Sequence, residues 1–248
     1  MTTGTLYGIG VGPGDPEWMT VKAARILLVC RHVYVPKSQA AAESIALDIA
    51  RCYLKPDAAV HELTFPMTAD ECVLRQCWRE AACEVRQTLA AGDDCCFLTL
   101  GDALLYSTYI YLIGELRAID PDTKIVTIPG ITAMSAAAAA TGFPIGQGKQ
   151  LVTIVPAADD MSQFTAALDR GGTVVLMKIG RRLETVLAEL ESRNLLDRAV
   201  FVSHAGMAQQ RVETDLRRLS GLPEQTGYLS ILLVDAGRQS GPIKEQTP

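Results

Sequence analysis

The chain has 248 residues, of which 48% are hydrophobic and 21% charged, the composition of a globular protein with one large core or two modest ones. A net charge of −5 without any basic run gives no electrostatic ground for nucleic-acid binding. The opening MTTGTLYGIG lacks a basic segment followed by an apolar stretch, and the run ITAMSAAAAATG is too short to span a bilayer, so neither a secretory signal nor membrane insertion is expected.

The seven cysteines (Cys30, Cys52, Cys72, Cys77, Cys83, Cys95 and Cys96) are odd in number, scattered and free of any C-x-x-C pair. That pattern argues against a disulfide framework or a metal site and predicts reduced thiols in a cytoplasmic protein.

In chain order, strands are expected at Leu6–Val11, Val33–Pro36, Val60–Phe65 (the weakest), Cys95–Leu100 and Lys124–Ile128. Between them Thr20 can cap a helix running toward Cys30, and Ala41–Tyr53 keeps Ile45 and Ile49 on one face. Ala69–Ala91 carries Val73, Cys77, Ala81 and Val85 at four-residue spacing before Gly92 stops it. Gly142, Pro144, Gly146 and Gly148 then break any helix, which sets an expected domain boundary at 143/144. The alternation restarts with strands at Leu151–Val155, Thr173–Met177, Ala199–Ser203 and Leu229–Val234, and an amphipathic helix Arg181–Leu195. The reading is α/β, with domains 1–143 and 144–238, mixed and largely parallel sheets, and a frayed tail over 239–248.

Four of these strands run straight into glycine loops: Gly12-Pro13-Gly14-Asp15, Gly101-Asp102, Pro129-Gly130-Ile131-Thr132 and Lys178-Ile179-Gly180. Open α/β sheets bind ligands beyond the carboxyl ends of their strands, where glycine bares the backbone. The first loop is no dinucleotide fingerprint, because Pro13 stands where G-x-G-x-x-G needs its last glycine, and no Gly-Lys-Ser/Thr makes it a Walker loop.

The segments GIGVGPGDPEWMTVKAA, LTLGDALLYST, VTIPGITAMSAAAA, VVLMKIGRRL and GYLSILLV resemble, in order, the motifs of the tetrapyrrole (corrin and porphyrin) methyltransferases, from about residue 5 to 235. Within that family, Pro-Lys-Ser at 36–38, Tyr-Ser-Thr-Tyr-Ile-Tyr-Leu after Asp102, and Met-Lys-Ile-Gly-Arg are most similar to the enzymes that methylate precorrin-2 at C-20. The resemblance implies two αβα domains with S-adenosylmethionine in the cleft between them, S-adenosylhomocysteine as product, a homodimer and a role in cobalamin biosynthesis. One departure is Ala103 where many members have proline after Gly-Asp.

By the same resemblance Leu100, Gly101, Asp102 and Leu105 lie beside the cofactor, Gly130, Ile131, Thr132 and Ala133 form its adenine-side loop, and Gly12, Pro13, Gly14 and Asp15 border the tetrapyrrole. The backbone of Met177, Lys178 and Ile179 is a candidate partner of the adenine edge. Tyr106, Ser107 and Thr108 offer hydroxyls to the cofactor or begin a helix, and Asp102 alternatively caps that helix. Tyr228 is the catalytic candidate, a phenol at a strand end able to polarise the acceptor or help remove its proton, or else a core-edge tyrosine. A many-carboxylate acceptor asks for cations, for which Lys37, Lys178, Arg181 and Arg182 follow strand ends; His204 reads as structural and Trp18 as packing. No metal is expected, since direct methyl displacement asks mainly for alignment. Other acceptors (cobalt-precorrin-2, precorrin-3B, precorrin-4, uroporphyrinogen III, a diphthamide precursor or RNA) and a non-catalytic nucleotide sensor stay open.

Overall fold

The computed structural model describes residues 3–37, 44–66, 68, 70–156 and 160–237; Ser38, the expected helix start at 41–43, Ala69 and the tail 239–248 lie outside them. The chain forms two compact units, Met1–Thr132 and Ala133–Pro248.

The first unit alternates β1 (Thr5–Gly10), α1 (Val21–Leu27), β2 (His32–Lys37), α2 (Ile45–Ala50), β3 (Ala59–Thr64), α3 (Glu71–Ala90), β4 (Cys95–Thr99), α4 (Tyr109–Ile119) and β5 (Lys124–Ile128). Its sheet has the order β3-β2-β4-β1-β5, and every pairing is parallel. From β1 the chain steps past β4 to β2, whereas from β4 it steps the other way past β1 to β5. Right-handed crossovers taken in opposite directions put their helices on opposite faces, and the two cores obey this rule. Ala23 and Leu27 of α1 and Ile49 and Ala50 of α2 pack with Ile9, Val33, Cys96 and Leu98. Val85 and Leu89 of α3 and Leu112 and Leu116 of α4 pack with Leu6, Tyr34, Cys95 and Phe97 on the other side. Strand β4 is buried along its whole length, as a central parallel strand covered on both faces must be.

Local capping sets the helix starts. The Thr20 hydroxyl accepts from the Ala23 amide at 3.2 Å, and Asp70 accepts from Cys72 and Val73 ahead of α3. Helix α3 buries Ala81, Ala82, Val85 and Leu89, but Val73 near its start stays exposed, so the expected apolar stripe meets the core only in its second half.

The second unit contains α5 (Ala133–Thr141), β6 (Val152–Pro156), α6 (Met161–Arg170), β7 (Thr173–Met177), α7 (Leu183–Ser192), β8 (Ala199–Ser203), β9 (Arg211–Glu213) and β10 (Ser230–Asp235). Its strand order is β6-β7-β10-β8-β9; β6 and β7 are parallel, and β10 runs antiparallel to both β7 and β8. Helices α6 and α7 cover one face through Phe164, Leu168, Leu183, Val186, Leu187 and Leu190. Helix α5 packs against β10 and β8 and buries Ala136 and Ala137. The 143/144 boundary expected from the glycine turns would place this helix in the first domain, whereas its contacts group it with the second sheet. No helix of the described residues is long and apolar enough to cross a membrane.

Candidate active-site loops

The opposite directions taken after β1 and β4 make the carboxyl ends of these neighbouring strands a topological switch point, the place where open α/β sheets bind ligands. Two left-handed glycines stand there. Gly12 (φ 84°) and Gly101 (φ 72°) exchange backbone hydrogen bonds, with the Gly12 amide donating to Gly101 at 3.2 Å and the Gly101 amide to Gly12 at 2.8 Å. The loop after β5 joins them by glycine-to-glycine packing. A Cβ on Gly10 would fall 2.6 Å from both the Gly101 carbonyl oxygen and the Gly130 nitrogen, and one on Gly130 would collide with the Gly101 carbonyl. These two glycines serve loop-to-loop contact. Gly101 differs: a Cβ there would meet nothing nearer than the Ile131 carbonyl oxygen at 4.0 Å, so bare backbone faces open space.

Asp102 fastens the arrangement. Its Oδ1 accepts from the Leu104 amide at 2.9 Å and its Oδ2 from the Gly130 amide at 3.0 Å, so the carboxylate ties the β4 loop to the β5 loop. Ala103 is buried, and its carbonyl accepts the Ser107 hydroxyl. Tyr106 takes a left-handed backbone (φ 54°) and stays exposed with Leu104, whereas Ser107 is buried. Thr108 precedes α4 without a side-chain cap. Tyr109 slides under Gly8, where a Cβ would strike its ring, and its hydroxyl lies 3.0 Å from the Thr127 hydroxyl. Burial pushes this phenol above its ordinary range.

The opening loop is more enclosed than its motif suggests. Gly12, Pro13 and Gly14 are buried, and Asp15 is spent on capping the short 3-10 turn Pro16–Trp18 through a 2.9 Å bond from the Glu17 amide. Lys37, at the end of β2, pairs with Glu62 of β3 at 2.6 Å.

In the second unit the equivalent features gather at one end of the sheet. Met177 closes β7 opposite Ile231 of antiparallel β10, so the segment Met177–Ile179 and the turn carrying Tyr228 are neighbours. Gly227 sits so close to Gly180 that a Cβ would overlap the Gly180 carbonyl. Met177 and Ile179 are buried, while Lys178 and Arg181 are exposed. Tyr228 is 55% exposed, yet its turn is fixed by its own amide donating to Gln225 at 2.9 Å and by the Ser230 hydroxyl donating to Gly227 at 2.6 Å. Sequence reading missed the left-handed backbones of Tyr106, Lys178, His204 and Leu229; a histidine straight after a strand is the one visible signal, since histidine is enriched in that conformation. A cavity of about 780 Å³ opens at the other end of this sheet, but the Arg198 in its wall is paired with Asp235 and none of the candidate residues lines it.

At this switch point there is room beside the Gly101 backbone, and the loops around it are cross-tied.

The model of the tetrapyrrole (corrin/porphyrin) methylases matches residues 5–220. The chain is 32% identical to the cobalt-precorrin-2 C(20)-methyltransferase of Salmonella typhimurium, covering 94% of this chain and 96% of the relative. It is 29% identical to the precorrin-2 C(20)-methyltransferase of a Sinorhizobium species, covering 93% and 95%. Among solved structures, the uroporphyrin-III C-methyltransferase of Thermus thermophilus complexed with S-adenyl homocysteine superposes with a TM-score of 0.62 at 18% identity, covering 93% of this chain and 97% of that one. With the family pattern running through both sheets, this chain is a methyltransferase belonging to the tetrapyrrole (corrin/porphyrin) methylases.

Proposed function

We propose that the protein transfers a methyl group from S-adenosylmethionine to C-20 of precorrin-2, or of its cobalt form, in cobalamin biosynthesis. The observation that carries this reading is the likeness to C(20)-methyltransferases of both acceptors along nearly the full length of each chain. When bound, the cofactor supplies an electrophilic methyl on a sulfonium. The protein's part is to align it with an electron-rich ring carbon and exclude water.

For the cofactor we assign Leu100, Gly101, Asp102 and Leu105, the hydroxyl-bearing Tyr106, Ser107 and Thr108, the Gly130–Ala133 loop and the Met177–Ile179 segment. Asp102 acts there by holding Gly130 in place, since both of its oxygens are already bonded to loop amides. Ser107 is buried on the Ala103 carbonyl and supports its own loop. For the acceptor we assign the Gly12–Asp15 loop, Lys37, Arg181 and Tyr228. Lys37 reaches a substrate carboxylate by exchanging it for Glu62, which costs little because a surface ion pair contributes only about 0–1 kcal/mol.

The deciding experiment incubates the full chain with isotopically labelled S-adenosylmethionine and precorrin-2, with and without cobalt, and locates the new methyl by NMR. Label at C-20 is the expected result, and label at another ring position rejects the acceptor assignment. Sedimentation of the same sample tests the homodimer that the family resemblance implies.

A further inference from the structure

At the loop end of the second sheet, three residues that are not glycine hold left-handed backbones: Lys178 after β7, His204 after β8 and Leu229 before β10, with φ of 55°, 52° and 46°. Such a conformation is costly for a residue with a side chain and persists only where the surroundings over-determine it. For a leucine it is a genuine outlier. Two of the three are tied together, since the His204 amide donates to the Leu229 carbonyl at 3.0 Å. The His204 carbonyl accepts from the Met207 amide at 2.9 Å, so the backbone of this histidine is held at both of its polar groups. The partly buried imidazole of His204 and the exposed phenol of Tyr228 stand with ring centroids 6.2 Å apart and planes tilted by 59°.

We infer that His204 is a catalytic base of this enzyme and takes up the proton lost from the methylated ring carbon, with Tyr228 as its neighbour on the substrate side. The inference rests on the methyl-transfer reading above. In that reaction the electron pair of the ring carbon forms the new C–C bond as the S–CH3 bond breaks and its pair stays on sulfur. The C–H bond of the same carbon then breaks, its electrons return to the macrocycle, and the proton passes to a ring nitrogen of His204 and on to water. The sum is one methyl transferred and one proton released.

The choice of group follows from what stands at this end of the sheet. Lys178, Arg181 and Arg182 present ammonium and guanidinium groups, which donate and do not accept, Tyr228 presents a phenol, and the Glu184 carboxylate already accepts the Gly221 amide at 2.6 Å and the Ser220 hydroxyl at 3.4 Å. An imidazole has a ring-nitrogen lone pair that can take a proton and an N–H that can give one up. The other two histidines are engaged elsewhere: the His32 Nδ1 lies 3.2 Å from the His61 Nε2, on β2 and β3 of the first unit. Of the carboxylates in the first unit's glycine loops, Asp102 has both oxygens bonded to backbone amides, and Asp15 accepts the Glu17 amide through Oδ1.

Two variants test the assignment in the full chain. His204→Gly suits a φ of 52°, removes the ring and leaves a space the size of imidazole; His204→Asn also tolerates this backbone but fills the space without a base. With precorrin-2 and S-adenosylmethionine, both variants should lose about 10²–10⁴-fold in kcat while the KM for S-adenosylmethionine moves by no more than about twofold. Added imidazole should restore turnover in His204→Gly and leave His204→Asn unchanged. Undiminished kcat in both variants, or a loss in His204→Gly that imidazole does not reverse, overturns the assignment. If the unmodified chain places no methyl at C-20 in the same assay, the substrate reading fails and the role of His204 falls with it. Normal activity of the unmodified chain beside unaffected variants rejects the role of His204 alone.

Discussion

The Oδ2 of Asp102 lies 3.0 Å from the amide nitrogen of Gly130, twenty-eight residues away in the chain, and so binds the turn after β4 to the turn after β5. The other oxygen of the same carboxylate holds the Leu104 amide. Asp102→Ala leaves both amides without these acceptors, and the unfolding free energy should fall by about 1–3 kcal/mol. Asp102→Asn should fall in the same direction, because one of its two arms now offers N–H toward N–H. Affinity for S-adenosylmethionine, read by titration calorimetry, should weaken in both. Unchanged affinity in a destabilised Asp102→Ala would mean that the staple supports the fold without shaping the site.

The two glycines beside this staple should respond differently to the same substitution. Alanine at Gly130 drives a methyl group into the Gly101 carbonyl and the Gly10 backbone, an overpacking that costs about 1–3 kcal/mol or more. Alanine at Gly101 meets only open space, so its cost is the left-handed backbone, about 1–2 kcal/mol. Gly130→Ala should therefore be the less stable protein in urea. Gly101→Ala should show the larger drop in cofactor affinity for each unit of stability lost, since its methyl group occupies the space assigned to ligand. Equal ratios for the two variants would remove Gly101 from the cofactor site.

Much of this layout is legible from residue pattern alone. Lys124–Ile128, Thr173–Met177 and Ala199–Ser203 match the observed strands end to end, because unbroken β-branched and aliphatic runs bounded by polar or glycine residues have few other ways to be buried. Leu183, Val186, Leu187 and Leu190 all face the second core, as their helical spacing requires. Three features are hidden for physical reasons. Strand β9 is three residues long with a charge at each end, so nothing in its composition announces a strand. Helix α5 is so uniformly alanine that no apolar face tells which sheet it will cover, and its grouping with the second unit follows from tertiary contact. The Asp102–Gly130 bond joins residues distant in sequence, and the left-handed backbones of Lys178 and Leu229 run against the local preference of those residues.

Alkaline pH should unfold the protein through groups that bury their protons. Burial raises the Tyr109 phenol above its ordinary 10.0 and the Cys95 thiol above its ordinary 9.0. A group whose folded pKa is raised stabilises the native state fully below its unfolded value and loses that contribution as pH climbs through the folded one. Stability measured in urea should thus hold steady below pH 9 and then decline, by up to about 1.4 kcal/mol per pH unit for each proton released only on unfolding. Tyr109→Phe should begin lower at neutral pH, having lost its bond to Thr127, and decline less steeply above pH 10. Parallel declines in the two proteins would show that Tyr109 ionises without unfolding.

The strained turn before β10 makes the sharpest test of the second unit. Ordinarily alanine is the gentler truncation of a leucine, because glycine adds backbone freedom to the unfolded chain worth roughly 0.5–1 kcal/mol. Leu229, however, sits at φ 46°, where any side chain presses on its own backbone at a cost of about 1–2 kcal/mol that glycine escapes. The ordering should therefore invert, with Leu229→Gly at least as stable as Leu229→Ala in urea unfolding. The same glycine frees the carbonyl that receives the His204 amide and loosens the turn that presents Tyr228. Turnover should then drop in Leu229→Gly even though stability holds, with the greater part of the loss in kcat. If Leu229→Gly proves both less stable than Leu229→Ala and equally active, the left-handed turn is neither strained nor tied to the chemistry.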